Sequence, residues 1–383
     1  MTHRERLLAV FSGELPDRIP WFPRLDMWYA AHSHADTLPE KYRGWDLRDI
    51  HRDLDIGFHG KWGAAYRIEI DGTETITHRD GEETRVETVT PVGTVSTLTR
   101  HSPELRAEGA GPLEIEHMIK TDGDYEIVEW IYQHSRVVPT YEKFLEFDAE
   151  CGDEGLAFVN TPWNPAFYLF GQLIGWNDCY YHLQDYPLQI DPLLTVMTDF
   201  YWEIHRACAH SPAPVINHGA HFHSTMTPPP IFRDYFLDNL KEVAAYYHQH
   251  DKLLMFHADA DLSGLEEFIL DVGYDIAECL VTHPMADITL ERCRQVWGDR
   301  IVIWGGIHGL YLVGADIFRR GRSSSTAAGP FVPATGTSRF RPSTLVAVPL
   351  TFALVCFAWI FFRADDLGQA MEIIRRLPSG WDF

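Results

Sequence analysis

Short apolar runs alternate with longer amphipathic stretches along the first 306 residues of this 383-residue chain. The runs are bounded by polar residues, Gly and Pro and predict strands, and the stretches between them predict helices. Such alternation predicts a parallel sheet covered by helices. The predicted strands lie at residues 19–24, 54–58, 156–160, 214–218, 252–257, 275–279 and 300–304. This is one strand fewer than a closed (β/α)8 barrel needs, so we expect an α/β fold of TIM-barrel type that lacks its last strand.

A second pattern interrupts this alternation between residues 66 and 98, where polar and apolar residues alternate in a segment rich in Thr, Val and Glu. The pairs Asp71-Gly72 and Asp80-Gly81 mark turns in this segment. Alternation broken by Asp-Gly pairs is typical of antiparallel hairpins. We therefore expect an antiparallel β-hairpin or meander inserted into the barrel at about residues 66–98.

The balance of charge restricts the partners of the chain, because 55 Asp and Glu against 32 Lys and Arg give a net charge of -23. This charge argues against a nucleic-acid partner, which leaves a small-molecule substrate as the expectation. The six cysteines are scattered without a CxxC pair, and the N-terminus has no secretory pattern. We expect a cytoplasmic barrel with reduced thiols.

The segment at 252–261 contains the most distinctive candidate site, since an apolar run is followed there by His257, Asp259 and Asp261. Side chains alternate along an extended segment, so these three point the same way. In barrels of parallel strands, the chemistry lies where strands end and loops begin. An imidazole and two carboxylates there could hold a metal ion, move protons or bind a cationic group. The alternative is a strand exit at which Asp caps the next helix.

Neighbouring strand ends supply further candidate ligands, because histidines lie in the loop after the strand at 214–218 and a cysteine ends the strand at 275–279. Zinc binds imidazole, thiolate and carboxylate groups. The candidate zinc ligands are therefore His221, His223, His257, Asp259 and Cys279. The alternatives are a polar loop for the histidines and a small buried residue for the cysteine.

Other side chains at the same end of the barrel are candidates for binding substrate. Arg24 and Asp26 follow the first predicted strand and could bind and orient a substrate carboxylate, or form a surface ion pair. Four aromatic residues could form a wall for a planar substrate, although aromatic side chains are more often part of a core. They are Trp28, Trp163, Tyr168 and Phe222.

Five strings along residues 1–307 resemble the uroporphyrinogen decarboxylase superfamily. They are THRERLLAVFSGELPDRIPW near the N-terminus, TPVGTV at 90–95, TPPPIFRDYF at 227–236, FHADADL at 256–262 and DRIVIWGGI at 299–307. The superfamily contains the decarboxylase of haem synthesis and zinc-dependent, corrinoid-linked methyltransferases. The resemblance implies a TIM barrel with its site at the carboxyl ends of the strands.

The resemblance to the decarboxylase itself is incomplete. Arg24 stands where that enzyme binds substrate carboxylates, and Tyr168 follows a Pro-Trp string at the matching distance. Trp28, however, replaces a second arginine, and the string Gly57-Phe58-His59 stands where the enzyme has an aspartate for the pyrrole nitrogens. A true uroporphyrinogen decarboxylase is therefore not expected.

The methyltransferase branch offers a closer match, because His257 matches its first zinc ligand and Asp259 stands in place of a cysteine. The resemblance implies methyl transfer to a thiol or corrinoid-linked acceptor, with zinc as cofactor and a corrinoid protein as partner. It implies catalytic roles for Arg24, Tyr168, His257 and Asp259, and cofactor contacts for Trp163 and Phe222. The alternatives are a decarboxylase-like lyase and a non-catalytic barrel that binds a small molecule.

Residues 307–383 form a segment of different character, with a Ser-, Ala-, Gly- and Pro-rich linker at 321–338 and an apolar run at 345–362. The run is just long enough to span a bilayer. The string CFAWIFFRADDLGQA at 356–370 resembles membrane-bound O-acyltransferases of the alginate-acetylation type, a likeness that extends over 304–383. We interpret the chain as a chimera with impaired activity, whose hydrophobic helical tail contacts a membrane or packs on the open barrel.

Overall fold

The computed structural model describes residues 1–283 and 285–305, in which strands and helices alternate over most of the length. The strands are β1 (Phe58–Gly63), β2 (Tyr66–Ile70), β3 (Glu74–Asp80), β4 (Glu83–Thr90), β5 (Gly93–Arg100), β6 (Leu113–Glu116), β7 (Ser135–Pro139), β8 (Gly155–Asn160), β9 (Val215–Asn217), β10 (Leu253–His257), β11 (Ile276–Leu280) and β12 (Val302–Gly305). The α-helices are α1 (His3–Phe11), α2 (Asp26–His34), α3 (Leu47–Asp53), α4 (Pro103–Ala107), α5 (Asp122–Gln133), α6 (Tyr141–Cys151), α7 (Pro165–Tyr168), α8 (Cys179–Asp185), α9 (Pro187–Ala209), α10 (Pro229–Phe232), α11 (Asp238–His248), α12 (Glu266–Val272) and α13 (Leu290–Trp297). Shorter turns are the 3-10 segments Glu40–Tyr42 and Gly152–Glu154 and the π segments Leu169–Ile174 and Arg233–Leu237.

A six-stranded parallel sheet forms the centre, in the order β1-β8-β9-β10-β11-β12. The sheet is strongly curved. Its two edge strands, β1 and β12, approach each other, and the ring centroids of His59 on β1 and Trp304 on β12 lie only 5.1 Å apart. The described residues thus form a half-barrel sheet and not the TIM barrel that the sequence predicted. The prediction of a seven-stranded TIM-type barrel that lacks its last strand was therefore wrong, since the parallel sheet of the described residues has six strands. The alternation of strands and helices was predicted correctly.

The segment 19–24, predicted as the first strand, is not part of the sheet. Its backbone accepts a hydrogen bond at Trp21 O from the amide of Gly57, at 2.8 Å. Pro20 and Pro23 have no N–H group, however, and a proline removes a donor that a sheet ladder requires. The segment therefore runs beside the sheet, where the Phe22 ring packs against Trp304 with centroids 5.7 Å apart.

The predicted strand at 54–58 also differs, since β1 begins only at Phe58. Asp55 has a φ of 51°, in the left-handed region, which interrupts an extended chain. The five later predicted strands overlap β8 to β12.

The insertion forms two antiparallel units, a four-stranded sheet in the order β3-β4-β5-β6 and the pair β2-β7. The turn at Gly81 joins β3 to β4, as the sequence predicted, with Asp80 opposite Glu83. The turn at Gly72 does not produce a hairpin, because β2 pairs with β7 from Tyr66 opposite Pro139 onward. No local sequence pattern predicts that β2 pairs with β7, because the two strands are far apart in the sequence.

Two hydrophobic clusters lie on opposite faces of the parallel sheet, and β8 contributes to both. Leu156 and Phe158 belong to the inner cluster, while Ala157 and Val159 belong to the outer cluster that includes the helices. Side chains that alternate between two buried faces explain why this strand is apolar from Leu156 to Val159.

The segment that follows residue 306 lies outside the described residues, and with it the predicted linker at 321–338 and the apolar run at 345–362. Within residues 1–283 and 285–305, no helix has both the length and the hydrophobicity required to cross a membrane.

Candidate metal centre

The carboxyl ends of two adjacent parallel strands bring three candidate ligands together. His221 lies in the loop after β9, His257 ends β10, and Asp259 follows two residues later. One ligand atom from each lies within 4.8 Å of the others. His257 Nε2 is 3.1 Å from Asp259 Oδ2, and His221 Nδ1 is 2.6 Å from Asp259 Oδ1. Asp259 therefore links the two imidazoles.

A buried glutamate lies on the other side of His257. Glu278 on β11 accepts a hydrogen bond from His257 Nδ1 and is only 4% exposed. Its other oxygen accepts from His59 Nε2 at 3.1 Å. A carboxylate that holds one ring nitrogen of a histidine leaves the other nitrogen directed at a metal position, which is the usual support of metal-binding histidines.

The charges of this cluster follow from these contacts. Burial favours the neutral imidazole at His257, but hydrogen bonds to Asp259 and Glu278 outweigh burial and raise the pKa of His257 to about 9. Burial likewise opposes ionisation of Asp259 and Glu278, yet the neighbouring histidines hold the pKa of each carboxyl below its usual range. Two carboxylates surround one imidazolium, and this arrangement is suited to exchange a proton for a cation.

The three-residue group fits a zinc ion in donor type. Two ligands of a tetrahedral zinc, each at about 2.0–2.1 Å, lie about 3.3 Å apart, so the contacts of 3.1 Å and 2.6 Å that Asp259 makes with His257 and His221 would widen to admit the ion. Three protein ligands leave a fourth position for substrate or water. The side chains of His221 and Asp259 are 36% and 35% exposed, so this position is open to solvent.

Cys279 lies beside the same histidine, in a second ligand group with His257 and Glu278. It has a φ of 62°, and the register of β11 with β12 shifts there, so a bulge turns its side chain toward the centre. Burial and the carboxylates raise the pKa of the thiol to about 11, while Arg24 opposes them. In this state the thiol is protonated at neutral pH.

A basic corner borders the centre and consists of Arg24 and Lys61, which share Asp26. Lys61 Nζ donates to Asp26 Oδ2 at 2.6 Å, and Arg24 Nη2 is 3.7 Å from the same oxygen. Two cations on one carboxylate leave a local positive charge in a strongly acidic chain. Because Arg24 also interacts with Cys279, this positive charge lies next to the ligand groups.

The other predicted site residues lie in different surroundings. The Trp163 ring is perpendicular to that of His221 with centroids 5.1 Å apart, so it borders the centre. Phe222 is 1% exposed and packs against Phe232 in the core. Tyr168 packs against the outer cluster, where burial raises its pKa. In the described part of the chain neither ligand group includes His223, whose Nδ1 accepts from the amide of Thr225 at 3.1 Å.

The residues that the sequence analysis missed are Glu278, His59 as its partner, and Lys61. Glu278 carried a local signal, since a carboxylate inside the apolar strand β11 is unusual unless it is paired. His59 and Lys61 lie on β1, whose start the analysis placed too early. Their contacts depend on how the sheet curves, which no local pattern encodes.

No family model matches this sequence, and no curated protein is significantly similar to it. The functional argument therefore relies on the geometry of the centre.

Proposed function

We propose that the chain is a zinc-dependent enzyme that activates a small thiol as a methyl acceptor. The observation that carries the proposal is the convergence of His221, His257 and Asp259, with the buried Glu278 behind His257. The reaction class comes from the resemblance of the strings around His257 to corrinoid-linked methyltransferases. Zinc, when bound, stabilises the thiolate form of a coordinated thiol and keeps it available as a nucleophile.

The residues of this chain have separate tasks in that reaction. Asp259 keeps both rings close together in the metal-free chain. The same two nitrogens, His257 Nε2 and His221 Nδ1, would lose their protons and hold the ion, with Asp259 as the third ligand. The basic corner of Arg24 and Lys61 binds an anionic group of the substrate, which orients it toward the ligand group. Trp163 limits the space beside His221 and excludes water from that side.

A metal-free carboxy-lyase is the second candidate, favoured by the raised pKa of His257 beside the basic corner. There His257 would act as a general acid that protonates the carbon left by loss of carbon dioxide, while Arg24 and Lys61 hold the substrate carboxylates. This candidate requires no zinc, so metal content separates it from the first. A chain that only binds a small molecule would have neither zinc nor turnover.

The test is the zinc content of the purified full-length chain, measured by mass spectrometry after removal of loosely bound metal. We expect one zinc per chain in the wild type and its loss in His257→Ala and Asp259→Ala. His223→Ala is the matched control, since His223 lies in the same loop as His221 but outside the ligand group, and it should retain zinc. A folded wild type that binds no added zinc would rule the proposal out.

Methyl transfer is tested next, with methylcobalamin as the donor and a series of small thiols that differ only in their charge. We expect the thiolate sulfur to take the methyl group and form a thioether, with release of cob(I)alamin and of the thiol proton. The rate with anionic thiols should be strongly reduced in His257→Ala. Lys61→Gln should raise KM for anionic thiols more than it lowers kcat. If the chain binds zinc but transfers no methyl group, the metal centre is supported and the proposed reaction is ruled out.

A further inference from the structure

His59 is outside both ligand groups of the described residues, yet it belongs to the same chain of hydrogen bonds. Its Nε2 lies 3.1 Å from Glu278 Oε1, and the other oxygen of Glu278 contacts His257 Nδ1. Each oxygen of Glu278 is therefore placed to accept from one imidazole nitrogen. The carboxylate is thus held from two sides, by β1 and by β10.

The surroundings of His59 restrict its ring to one position. It is 7% exposed and packs between Phe158, at 5.3 Å between centroids, and Trp304, at 5.1 Å. Among the described residues its Nδ1 has no hydrogen-bond partner, so its contact with Glu278 is its one polar contact there. The hydrogen bond from His59 Nε2 therefore fixes the position of the Glu278 carboxylate.

We propose that His59 is a positioning residue that acts through Glu278 on His257. The terminal torsion of a glutamate is broad, so a carboxylate held by one donor can rotate. The second donor at His59 removes that freedom and keeps the other oxygen against His257 Nδ1. The Nε2 atom of His257 is then directed permanently at Asp259 and at the position of the ion. This inference rests on the proposed metal centre.

The experiment compares the zinc dissociation constants of three full-length variants, by competition with a chromophoric chelator. His59→Phe keeps a ring between Phe158 and Trp304 but removes the donor, and we expect zinc to bind about tenfold more weakly. His59→Gln keeps an N–H donor and should recover most of the affinity. His51→Phe is the matched control, because His51 is also buried near β1 but contacts Gly57 O instead of Glu278.

The outcomes separate the role of the donor from a role in packing. Zinc affinity of His59→Phe within about twofold of the wild type would overturn the inference while leaving the metal centre intact. If His59→Gln does not recover zinc affinity, the loss in His59→Phe comes from packing and not from the missing donor, and the inference is overturned. A loss of zinc affinity in His51→Phe as large as that in His59→Phe would also overturn the inference.

A second measurement does not depend on zinc and separates this inference from the metal centre. In the metal-free chain labelled with 15N-histidine, the proton on His257 Nδ1 should resonate far downfield, because it is donated to the buried carboxylate of Glu278. We expect this resonance to disappear in His59→Phe and to persist in His59→Gln. An unchanged resonance in His59→Phe overturns the inference, whether or not the wild type binds zinc.

Discussion

Both oxygens of Glu278 face an imidazole, His59 on one side and His257 on the other. This residue is 4% exposed, and burial alone would favour its neutral form. Its ionised state depends on the two donors, and the orientation of His257 depends on its ionised state. At the residue scale, the buried residues His59 and Glu278 therefore determine the position of His257, which is more exposed.

Substitution of Glu278 by Gln tests this dependence. The amide has nearly the same shape, but it removes the negative charge and places an N–H group opposite an imidazole that must also donate. We expect zinc affinity to fall about 10- to 100-fold, as for other carboxylates that support metal-binding histidines. The dissociation constant measures this effect. Glu267→Gln, at an exposed glutamate, should leave it unchanged.

A second pair of histidines lies away from solvent, His205 and His218, with ring centroids 4.7 Å apart. Burial lowers the pKa of His218 to about 4 and that of His205 well below its ordinary value. Between about pH 6.5 and pH 4 the unfolded chain therefore binds protons at these histidines that the native chain does not bind. The contribution of the two neutral histidines to the free energy of unfolding is fully present above about pH 6.5. It is lost as the pH falls toward 4.

The expected result is a lower free energy of unfolding at pH 5 than at pH 7, measured by urea denaturation. His218 alone should account for up to about 3 kcal/mol at pH 4 and below. Since His218→Gln lacks this group, its stability should fall less over the same pH range. An equal fall in the variant would contradict the assignment.

The loops that follow β9, β10 and β11 are tied together by one side chain, Asp261. It accepts hydrogen bonds from Ser224 Oγ at 2.8 Å, from Ser263 Oγ at 2.7 Å and from the amides of Asp287 and Ile288. The sequence analysis grouped Asp261 with His257 and Asp259 as a candidate for chemistry. At the scale of elements, its contacts instead fix the loops that carry the centre.

Asp261→Ala would leave several of these donors without a partner. We expect the free energy of unfolding to fall by about 1–3 kcal/mol, the cost of unsatisfied polar groups. Chemical denaturation measures this loss, and Asp261→Asn should recover part of it. A variant as stable as the wild type would show that the loops do not depend on this clamp.

At the scale of the whole molecule, the ligands of the centre come from separate strand ends, and their partner Glu278 comes from a third. An ion bound there would connect parts of the chain that the unfolded state does not bring together. Ligands that bind only the native state add to its stability, by about 2.7 kcal/mol at about 100 times the dissociation constant. Zinc should therefore raise the thermal midpoint of the full-length chain.

We expect this shift with zinc in the wild type and in His223→Ala, and no shift in His257→Ala. Magnesium, which prefers oxygen ligands in octahedral geometry, should have little effect. Scanning calorimetry at several zinc concentrations measures the shift. A midpoint that zinc raises equally in His257→Ala would place the ion elsewhere.

The sequence by itself determined the alternation of strands and helices, the approximate bounds of β8 to β12, the antiparallel insertion, and His257, Asp259, His221 and Cys279 as residues at neighbouring strand ends. These features depend on local periodicity and on the order of parallel strands, which are both present in the chain. Zinc and methyl transfer remain predictions from the residue types and the resemblance.

Only the tertiary structure decided that residues 19–24 stay outside the sheet, that β2 pairs with β7, and that the sheet curves as a half-barrel. It also decided that His59 reaches Glu278 across 219 residues of sequence. Contacts of this kind depend on the curvature of the sheet and on which strands become neighbours. Both arise from packing between distant segments, so no window of the sequence contains them.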